Sequence, residues 1–323
     1  MSVVKWDVPK AARSRPVFKP TLRRLRYFVL GREVDKGFIF KLLLYLILIS
    51  TSYIYLNPIL KMMTRMLMDA KDLIDPTVTW IPSSLYFGHL SSAWDILQYA
   101  KSLSISVGVS LTTAALHCVT CGLAGYALAR LDVPFKKLAF FLLLLAFIIP
   151  QQVIVLPTIL LFRTLGLDGS LFTLILPAMF GFGVKGSLFV FIFRQFFMTQ
   201  PKELEEAARL DGASAIRFYV KVMLPLSKPA ILVVFLFSLV WTWNDTYLPR
   251  MFLASAADVP LATQLTRMDT MLNTFIESGG YPEYVAEPIK MAASFLTILP
   301  PLLIYLFTQR YFVESVERTG LVE

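Results

Sequence analysis

The sequence has 323 residues, of which 56% are hydrophobic and only 16% are charged. Roughly a quarter of the residues of a soluble domain are charged, so this composition, with a mean hydropathy of +0.64, excludes an ordinary soluble protein and indicates a membrane protein. The two cysteines imply no disulfide framework. The net charge of +9 does not indicate a nucleic-acid partner, because the placement of the basic residues relative to the hydrophobic segments is explained by membrane topology, as shown below.

Six hydrophobic segments are long enough to cross a bilayer, which requires about 20 apolar residues per helix. They cover residues 38–60, 103–128, 138–161, 171–193, 230–248 and 289–312. We therefore predict an all-α integral membrane protein of about six transmembrane helices. Its predicted parts are a basic N-terminal segment (1–37), a transmembrane domain (38–312) with a long loop at 198–229, and a C-terminal tail (313–323).

Lysine and arginine are enriched on the cytoplasmic side of membrane proteins. With six spans, the two termini and the loops after spans two and four all lie on one side of the membrane. Most of the basic residues fall in these regions: Lys5, Lys10, Arg13, Arg15, Lys19, Arg23, Arg24, Arg26, Arg32, Lys36, Arg130, Lys136, Lys137, Arg194, Lys202, Arg209, Arg217, Lys221, Lys228, Arg310 and Arg318. Both termini are therefore predicted to be cytoplasmic.

The N-terminal segment has two interpretations. Leu22, Leu25 and Phe28 or Val29 lie at helical spacing with arginines between them, which is typical of a short interfacial helix on anionic membrane lipid. A disordered basic tail is equally consistent with this composition.

The loop between spans four and five is predicted to form two short helices joined by a turn. Pro201 suits the first turn of a helix, where its missing N–H costs nothing. Glu203, Glu205 and Glu206 follow and complement the positive end of the helix dipole. Gly212 can adopt a left-handed conformation and so end the helix at Asp211-Gly212.

The second helix of this loop is predicted to begin at Ser214 and to end at Pro225. On the first helix, Leu204, Ala207, Ala208 and Asp211 are spaced to share one side. Small alanine side chains allow a partner to approach closely, so a cytoplasmic protein is the expected partner of this side.

The same loop resembles a known family. Glu206-Ala207-Ala208, followed at regular intervals by Gly212, Val222 and Leu224-Pro225, is similar to the EAA loop of binding-protein-dependent ABC importer permeases, which usually have isoleucine where this chain has Val222. The resemblance implies that an ATPase is contacted by Glu205, Glu206, Ala207, Ala208, Asp211, Gly212, Leu224 and Pro225.

The resemblance extends to the sugar branch of that family, the maltose-type (MalG-like) permeases. It includes Trp243-Asn244-Asp245 with Pro249 in the fifth span and the run 309–313 near the C-terminus, whereas the last residues depart from that branch's Gly- and Lys-containing tail. The implied function is to translocate a sugar or oligosaccharide, neutral or anionic. The implied substrate pathway includes Lys185, Trp243, Asn244 and Asp245.

The resemblance also implies the assembly. Spans two to six would form a type I ABC importer permease (MetI-like) core in the bacterial or archaeal cytoplasmic (inner) membrane. The partners would be a second similar permease subunit, two cytoplasmic ATP-binding subunits and an extracytoplasmic solute-binding protein. ATP would be bound by the partner ATPase subunits, so no cofactor, metal or catalytic residue is expected in this chain.

Two short motifs favour helix packing over chemistry. Gly181 to Gly186 satisfies G-x-G-x-x-G, but a dinucleotide site needs a preceding strand, and here the run is predicted to lie inside an apolar helix where small residues allow close packing. Cys118 and Cys121 form C-x-x-C one turn apart on span two, with no second such pair.

Lys185 lies near the middle of the predicted fourth span. Intramembrane charges usually face a cavity or a partner, so Lys185 could line a pathway and contact an anionic sugar. A structural ion pair or a side chain that snorkels to the interface remains the alternative.

Two other functions fit the sequence less well. An ion-coupled secondary transporter would need acidic residues or histidine in mid-membrane, and the predicted spans hold almost none. A membrane enzyme would need clustered carboxylates or histidines at a membrane face, whereas the acidic residues between spans five and six are scattered along the loop.

Overall fold

The computed structural model describes residues 37–183, 185–254, 256–279 and 282–320, with side chains up to residue 310. These residues form helices and contain no strand. In chain order the helices are α1 (Phe38–Met66), α2 (Ala70–Ile74), α3 (Gly88–Ile96), α4 (Tyr99–Arg130), α5 (Lys136–Ile148), α6 (Gln151–Thr164), α7 (Phe172–Met179), α8 (Gly186–Thr199), α9 (Glu203–Leu210), α10 (Ala215–Phe218), a π-helical turn (Tyr219–Met223), α11 (Leu224–Leu226), α12 (Lys228–Asn244), α13 (Tyr247–Phe252), α14 (Leu261–Thr266), α15 (Met268–Gly279), a 3₁₀ turn (Glu283–Val285) and α16 (Ala286–Gly320). The interfacial helix considered for residues 21–30 and the last residues, 321–323, lie outside the described residues.

Helices occupy all six predicted spans, and the prediction of an all-α membrane fold is confirmed. Within the described part of the chain, three helices are long and apolar enough to cross a membrane unbroken, at Phe38–Met66, Tyr99–Arg130 and Glu283–Arg310. Two bent pairs raise the number to five: α5 with α6, bent by 100°, and Ala215–Leu226 with α12, bent by 76°. The predicted fourth span consists of α7 and the short apolar helix α8. Helix α16 continues past the predicted end of the sixth span at residue 312.

Helix α1 belongs, up to Lys61, to a compact unit separate from residues 62–323. Most of its large apolar side chains are exposed, including Ile47, Ile49, Ile54 and Tyr55. An apolar helix of this length with exposed side chains matches the hydrophobic thickness of a bilayer.

The bend in the third span follows from Pro150. A residue before proline is pushed out of the α region, and Ile149 is extended, with ψ of 122°. Pro150 is also extended, with ψ of 139°, and precedes the first residue of α6. The second proline, Pro157, is accommodated inside α6.

The fourth span breaks where the sequence predicted a continuous helix. The prediction that the glycine run lies inside a helix, with Lys185 in mid-helix, is wrong. Gly181 (φ +66°), Gly183 (φ +108°) and Lys185 (φ +60°) all have positive φ, which a right-handed helix does not allow. Gly181, Phe182, Gly183 and Lys185 instead lie in the connection between α7 and α8, which begins at Gly186, and the described residues provide no strand before it for a dinucleotide site.

The core is built around α4, which packs against α7, α8 and α12. Phe193 and Phe197 on α8 and Val234 on α12 are buried in one cluster with Cys121 of α4. A Cβ at Gly125 would lie 2.6 Å from Cβ of Phe193, so glycine is needed for the close approach of α4 and α8. The prediction that the cysteine pair serves helix packing is therefore confirmed for Cys121.

Candidate functional site

The loop between α8 and α12 forms the two predicted short helices. Helix α9 begins at Glu203 with Lys202 at its N-cap, so Pro201 lies two residues before the helix and is not in its first turn. The helix ends as predicted, because Gly212 has φ of +72°. The N–H of Gly212 donates to the carbonyl of Arg209 at 3.0 Å, and the N–H of Ala213 donates to the carbonyl of Ala208 at 2.9 Å. These bonds satisfy carbonyls at the helix end.

The second helix begins as predicted and ends later. Ser214 Oγ accepts a hydrogen bond from the N–H of Arg217 at 3.3 Å. The helix does not close at Pro225 but continues to Leu226. A π-helical turn precedes Pro225, and in it the N–H of Leu224 bonds to the carbonyl of Tyr219, five residues back. The widened turn accommodates proline, and the chain bends at Ser227, whose Oγ donates to the carbonyl of Leu224 at 2.9 Å.

Helix α9 has an inner and an outer side, and the predicted stripe of residues does not coincide with either. Ala208 packs against the buried cluster around Phe197 and Phe218. Glu206 and Ala207 are exposed. The prediction that both alanines share one docking side is therefore corrected: Ala207 faces outward, and Ala208 contacts the membrane-embedded helices.

Two exposed apolar residues of the loop were not among the residues predicted from the sequence. Leu210 is 90% exposed and Ile216 is 76% exposed. In the sequence, the signal for these two residues is a leucine and an isoleucine within an otherwise charged loop, and the sequence analysis did not use it. Ile216 lines a groove with Val119 and Leu123 of α4, so we define the outer face as Glu206, Ala207, Leu210 and Gly212.

Arg130, which was not predicted as a site residue, connects the loop to α4. Its side chain is only 6% exposed. Its Nε donates to the carbonyl of Phe197 at 2.9 Å, and its Nη2 donates to that of Gln200. Its Nη1 lies 3.8 Å from Oε2 of Glu205. The other oxygen of Glu205, Oε1, accepts from Nη2 of Arg209 at 2.7 Å, so Glu205 is fixed between two arginines.

A second link joins α4 to the loop. Tyr126 Oη donates to the carbonyl of Ala215 at 3.2 Å. Tyr126 and Arg130 are one turn apart at the C-terminal end of α4, so this end holds the second loop helix through Tyr126 and the first through Arg130.

The four predicted pathway residues do not converge on one site. Lys185 is exposed and lines a cleft of about 280 Å³. Trp243 is buried, and its Nε1 donates to the carbonyl of Thr297 at 3.3 Å. The exposed side chain of Asn244 donates to the carbonyl of Val240 at 2.9 Å. Asp245 caps α13, because its Oδ1 accepts from the N–H of Tyr247 at 2.9 Å.

Trp243 and Asp245 instead line a smaller cavity of about 30 Å³, which shares Phe182 and Gly183 with the Lys185 cleft. Two hydroxyl oxygens on its wall, those of Thr113 and Thr242, are buried and find no hydrogen-bond partner among the described residues. This volume suits a single water molecule, so the small cavity does not accommodate a sugar in this conformation.

Polar side chains of α4 satisfy carbonyls at the break in the fourth span. His117 is fully buried, and its Nε2 lies 3.1 Å from the carbonyl of Phe182 while its Nδ1 lies 2.8 Å from Oγ of Ser238. Thr120 Oγ1 donates to the carbonyl of Ala178 at 2.8 Å. Non-helical backbone within a membrane protein needs such partners, so α4 fixes the position of the break and of Lys185.

Comparisons with known proteins agree with this architecture. Residues 122–318 match the family described as "Binding-protein-dependent transport system inner membrane component". UgpE of Pectobacterium atrosepticum, an sn-glycerol-3-phosphate transport system permease protein, is 32% identical over 256 residues, which cover 77% of this chain and 85% of the relative. GgtD of Synechocystis, an osmoprotective compounds uptake permease protein, is 28% identical over 287 residues, which cover 85% and 90%.

A solved structure has the same fold. It is a crystal structure of a bacterial ABC transporter involved in the import of the acidic polysaccharide alginate, and a chain of it aligns with a TM-score of 0.73 at 20% identity. The alignment covers 85% of this chain and 96% of the other. The family match includes the loop, the outer face and the α4 links described above, and the chain therefore belongs to the family of binding-protein-dependent transport system inner membrane components, the multi-pass permease subunits of ABC importers.

Proposed function

We propose that this chain is one permease subunit of an importer that carries a sugar or oligosaccharide across the cytoplasmic membrane. The observation that carries the proposal is the division of the loop into two sides. Glu205 and Ala208 are fixed to the membrane-embedded helices, whereas the outer face, including Leu210, is exposed. Exposed apolar side chains on a cytoplasmic helix favour a protein partner, and in this family an ATPase is the partner that would supply the energy.

The proposed assembly has one further permease subunit similar to this chain, two cytoplasmic ATP-binding subunits and an extracytoplasmic solute-binding protein. Both termini and the loop would be cytoplasmic. The distribution of lysine and arginine supports this orientation. In this assembly the chain catalyses no reaction and holds no cofactor, and ATP is bound by the ATPase subunits.

The proposed substrate class follows from the relatives. UgpE is named for sn-glycerol 3-phosphate, and the solved transporter is described as an importer of the acidic polysaccharide alginate. A small polyol phosphate and an acidic polysaccharide are both rich in oxygen, so we propose a sugar or sugar-like solute. Lys185, Asn244 and Asp245 are the proposed polar residues of its pathway, while Trp243 supports them from the core.

The proposed mechanism transmits motion from the outer face to the bundle. Closure of the ATPase subunits would displace α9. The rigid links from Glu205 to Arg130 and from Ala215 to Tyr126 would pass this displacement to α4, around which α7, α8 and α12 pack. Rigid-body movement of packed helices is a common way to switch between two conformations, and the nucleotide would shift the population between inward- and outward-facing states.

The test is purification of the tagged chain from its native membranes. We expect an ABC-type ATPase to co-purify and to hydrolyse ATP faster when a solute-loaded binding protein is added. An ion-coupled secondary transporter, the alternative function, would purify without an ATPase and would respond to an ion gradient. That result would contradict the proposal.

A further inference from the structure

A cleft lies between the two helix breaks. It is lined by Pro150 and Gln151 from the break between α5 and α6, and by Phe182, Gly183 and Lys185 from the break between α7 and α8. Its volume of about 280 Å³ is close to the lower limit of small-molecule sites, roughly 300 Å³. Non-helical backbone at membrane depth occurs where it is buried in protein or lines a polar cavity, and this cleft combines two such segments.

The charge in this cleft has no counter-ion among the described side chains. Lys185 is exposed, no carboxylate there forms an ion pair with it, and its Nζ lies 5.8 Å from the centre of the Phe147 ring. Asp245, on the neighbouring cavity, uses Oδ1 to cap α13 through the N–H groups of Tyr247 and Leu248. An intramembrane charge without a partner is costly, so an anion that enters the cleft would be stabilised.

The helices that start at the cleft also favour an anion there. Helix α6 begins at Gln151 and α8 begins at Gly186, each has 14 residues, and both starting residues line the cleft. The first N–H groups of a helix lack partners within the helix and carry partial positive charge. Gln151 and Gln152 also line the cleft, and a glutamine side-chain amide can donate hydrogen bonds to an anion.

We propose that this cleft binds the carboxylate or phosphate group of an anionic sugar during its transport. Lys185 supplies the charge, and Gln151 and Gln152 supply neutral hydrogen-bond donors. The positive φ of Lys185 and the bond from His117 to Phe182 fix the backbone from which the lysine extends. The inference rests on the proposed function and narrows its substrate class from sugars in general to sugars that carry an acidic group.

The experiment measures protection of a cysteine introduced at Ser187, which also lines the cleft. The full importer carrying Ser187→Cys, with its ATPase subunits bound, is placed in nanodiscs of phosphatidylcholine. Its reaction rate with a maleimide is measured with D-glucuronate, sn-glycerol 3-phosphate or D-glucose. The importer without the substitution gives the background from Cys118 and Cys121. We expect one or both anions to slow the reaction and glucose to have no effect. Protection by D-glucuronate would indicate recognition of a carboxylate, and protection by sn-glycerol 3-phosphate would indicate recognition of a phosphate.

The lysine variants test the role of the charge. Lys185→Ala and Lys185→Gln should each raise the half-protecting anion concentration by about tenfold or more, as expected for loss of a hydrogen bond to a charged group. Lys185→Arg should retain protection, and Lys71→Ala, an exposed lysine outside the cleft, should have no effect.

Three outcomes would overturn the inference: protection by glucose equal to that by the anions, no protection by either anion, or protection that survives loss of the lysine. The same reaction is also measured in nanodiscs that contain phosphatidylglycerol. If this lipid slows the maleimide reaction and added anions slow it no further, the cleft is a lipid site, and this result would also overturn the inference. ATP hydrolysis is measured on the same samples. Absence of a bound ATPase contradicts the proposed function, whereas intact hydrolysis without anion protection contradicts this inference alone.

Discussion

Arg130 and Glu205 lie opposite one another where α4 ends and α9 begins, with 3.8 Å between Nη1 and Oε2. The same guanidinium group bonds to carbonyls at the end of α8. One largely buried side chain therefore joins three helices, and it lies between the outer face of the loop and the membrane-embedded core. This arrangement makes Arg130 the residue through which movement of α9 would reach α4.

Arg130→Gln should separate ATP hydrolysis from transport. Loss of a hydrogen bond to a charged group costs roughly 1.5–3 kcal/mol, so we expect uptake per ATP hydrolysed to fall about tenfold. Arg130→Lys should restore only part of the coupling, because lysine cannot form the forked bonds of a guanidinium group. The measurement is solute uptake and ATP hydrolysis on the same proteoliposomes.

The control for this prediction is Arg209→Gln. Arg209 also pairs with Glu205, but its side chain is 70% exposed, and an exposed pair contributes only about 0–1 kcal/mol. Coupling should therefore be nearly normal in Arg209→Gln. Equal effects of the two substitutions would contradict the role assigned to Arg130.

Gly212 should be sensitive because of its backbone conformation. Its φ is +72°, and a Cβ at this position would meet nothing within 4 Å. Gly212→Ala should therefore cost about 1–2 kcal/mol of local strain without any clash, and Gly212→Asn should cost less because asparagine tolerates this conformation. The unfolding temperature in detergent and the affinity for the ATPase should both decrease from glycine to asparagine to alanine at this position.

Gly108 on α4 provides a matched control. A Cβ there also meets nothing within 4 Å, but its φ is not positive. Gly108→Ala should be neutral or stabilising, because alanine is favoured over glycine in a helix by roughly 1 kcal/mol. If Gly212→Ala behaves like Gly108→Ala, the left-handed helix stop has no role in the loop.

His117 should be important for stability through the break in the fourth span. His117→Ala removes the partner of the Phe182 carbonyl and of the fully buried Ser238 hydroxyl, and a buried polar group left unsatisfied costs about 1–3 kcal/mol. Cys118→Ala, which removes only a weak contact of 3.7 Å to the Ile231 carbonyl, is the control. We expect a lower unfolding temperature for His117→Ala only, and equal temperatures for the two variants would argue against this account of the break.

Local signals in the sequence predicted much of the fold and of the loop. The apolar segments, the stop at Gly212 and the cap at Ser214 act through neighbouring residues, and the structure has a helix, a helix end or a cap at each of them. These features depend on the length of hydrophobic segments and on the backbone preferences of single residue types such as glycine. Both can be read directly from a sequence.

Tertiary contacts could not be predicted in the same way. Arg130 meets Glu205 across 75 positions in the chain, and nothing near Arg130 distinguishes it from the other basic residues that the sequence predicts to be cytoplasmic. Ala207 and Ala208 are equivalent in type, and only packing against Phe197 and Phe218 separates them. The glycine run predicted close packing of a continuous helix, whereas the structure has a break there. The side chains that stabilise this break belong to α4, so the run itself gives no sign of them.

The most direct test of the central claim is site-specific photo-crosslinking from the outer face of the loop. A benzophenone amino acid replaces Leu210 or, as a control of similar exposure, Ile81, which is 83% exposed and lies on the opposite side of the membrane in the proposed orientation. In intact cells that express the whole importer, the probe at position 210 should crosslink to the ATPase subunit and the probe at position 81 should not. Crosslinking of the ATPase at position 81, or its absence at position 210 in an assembled complex, would contradict the proposal that this loop couples the permease to ATP hydrolysis.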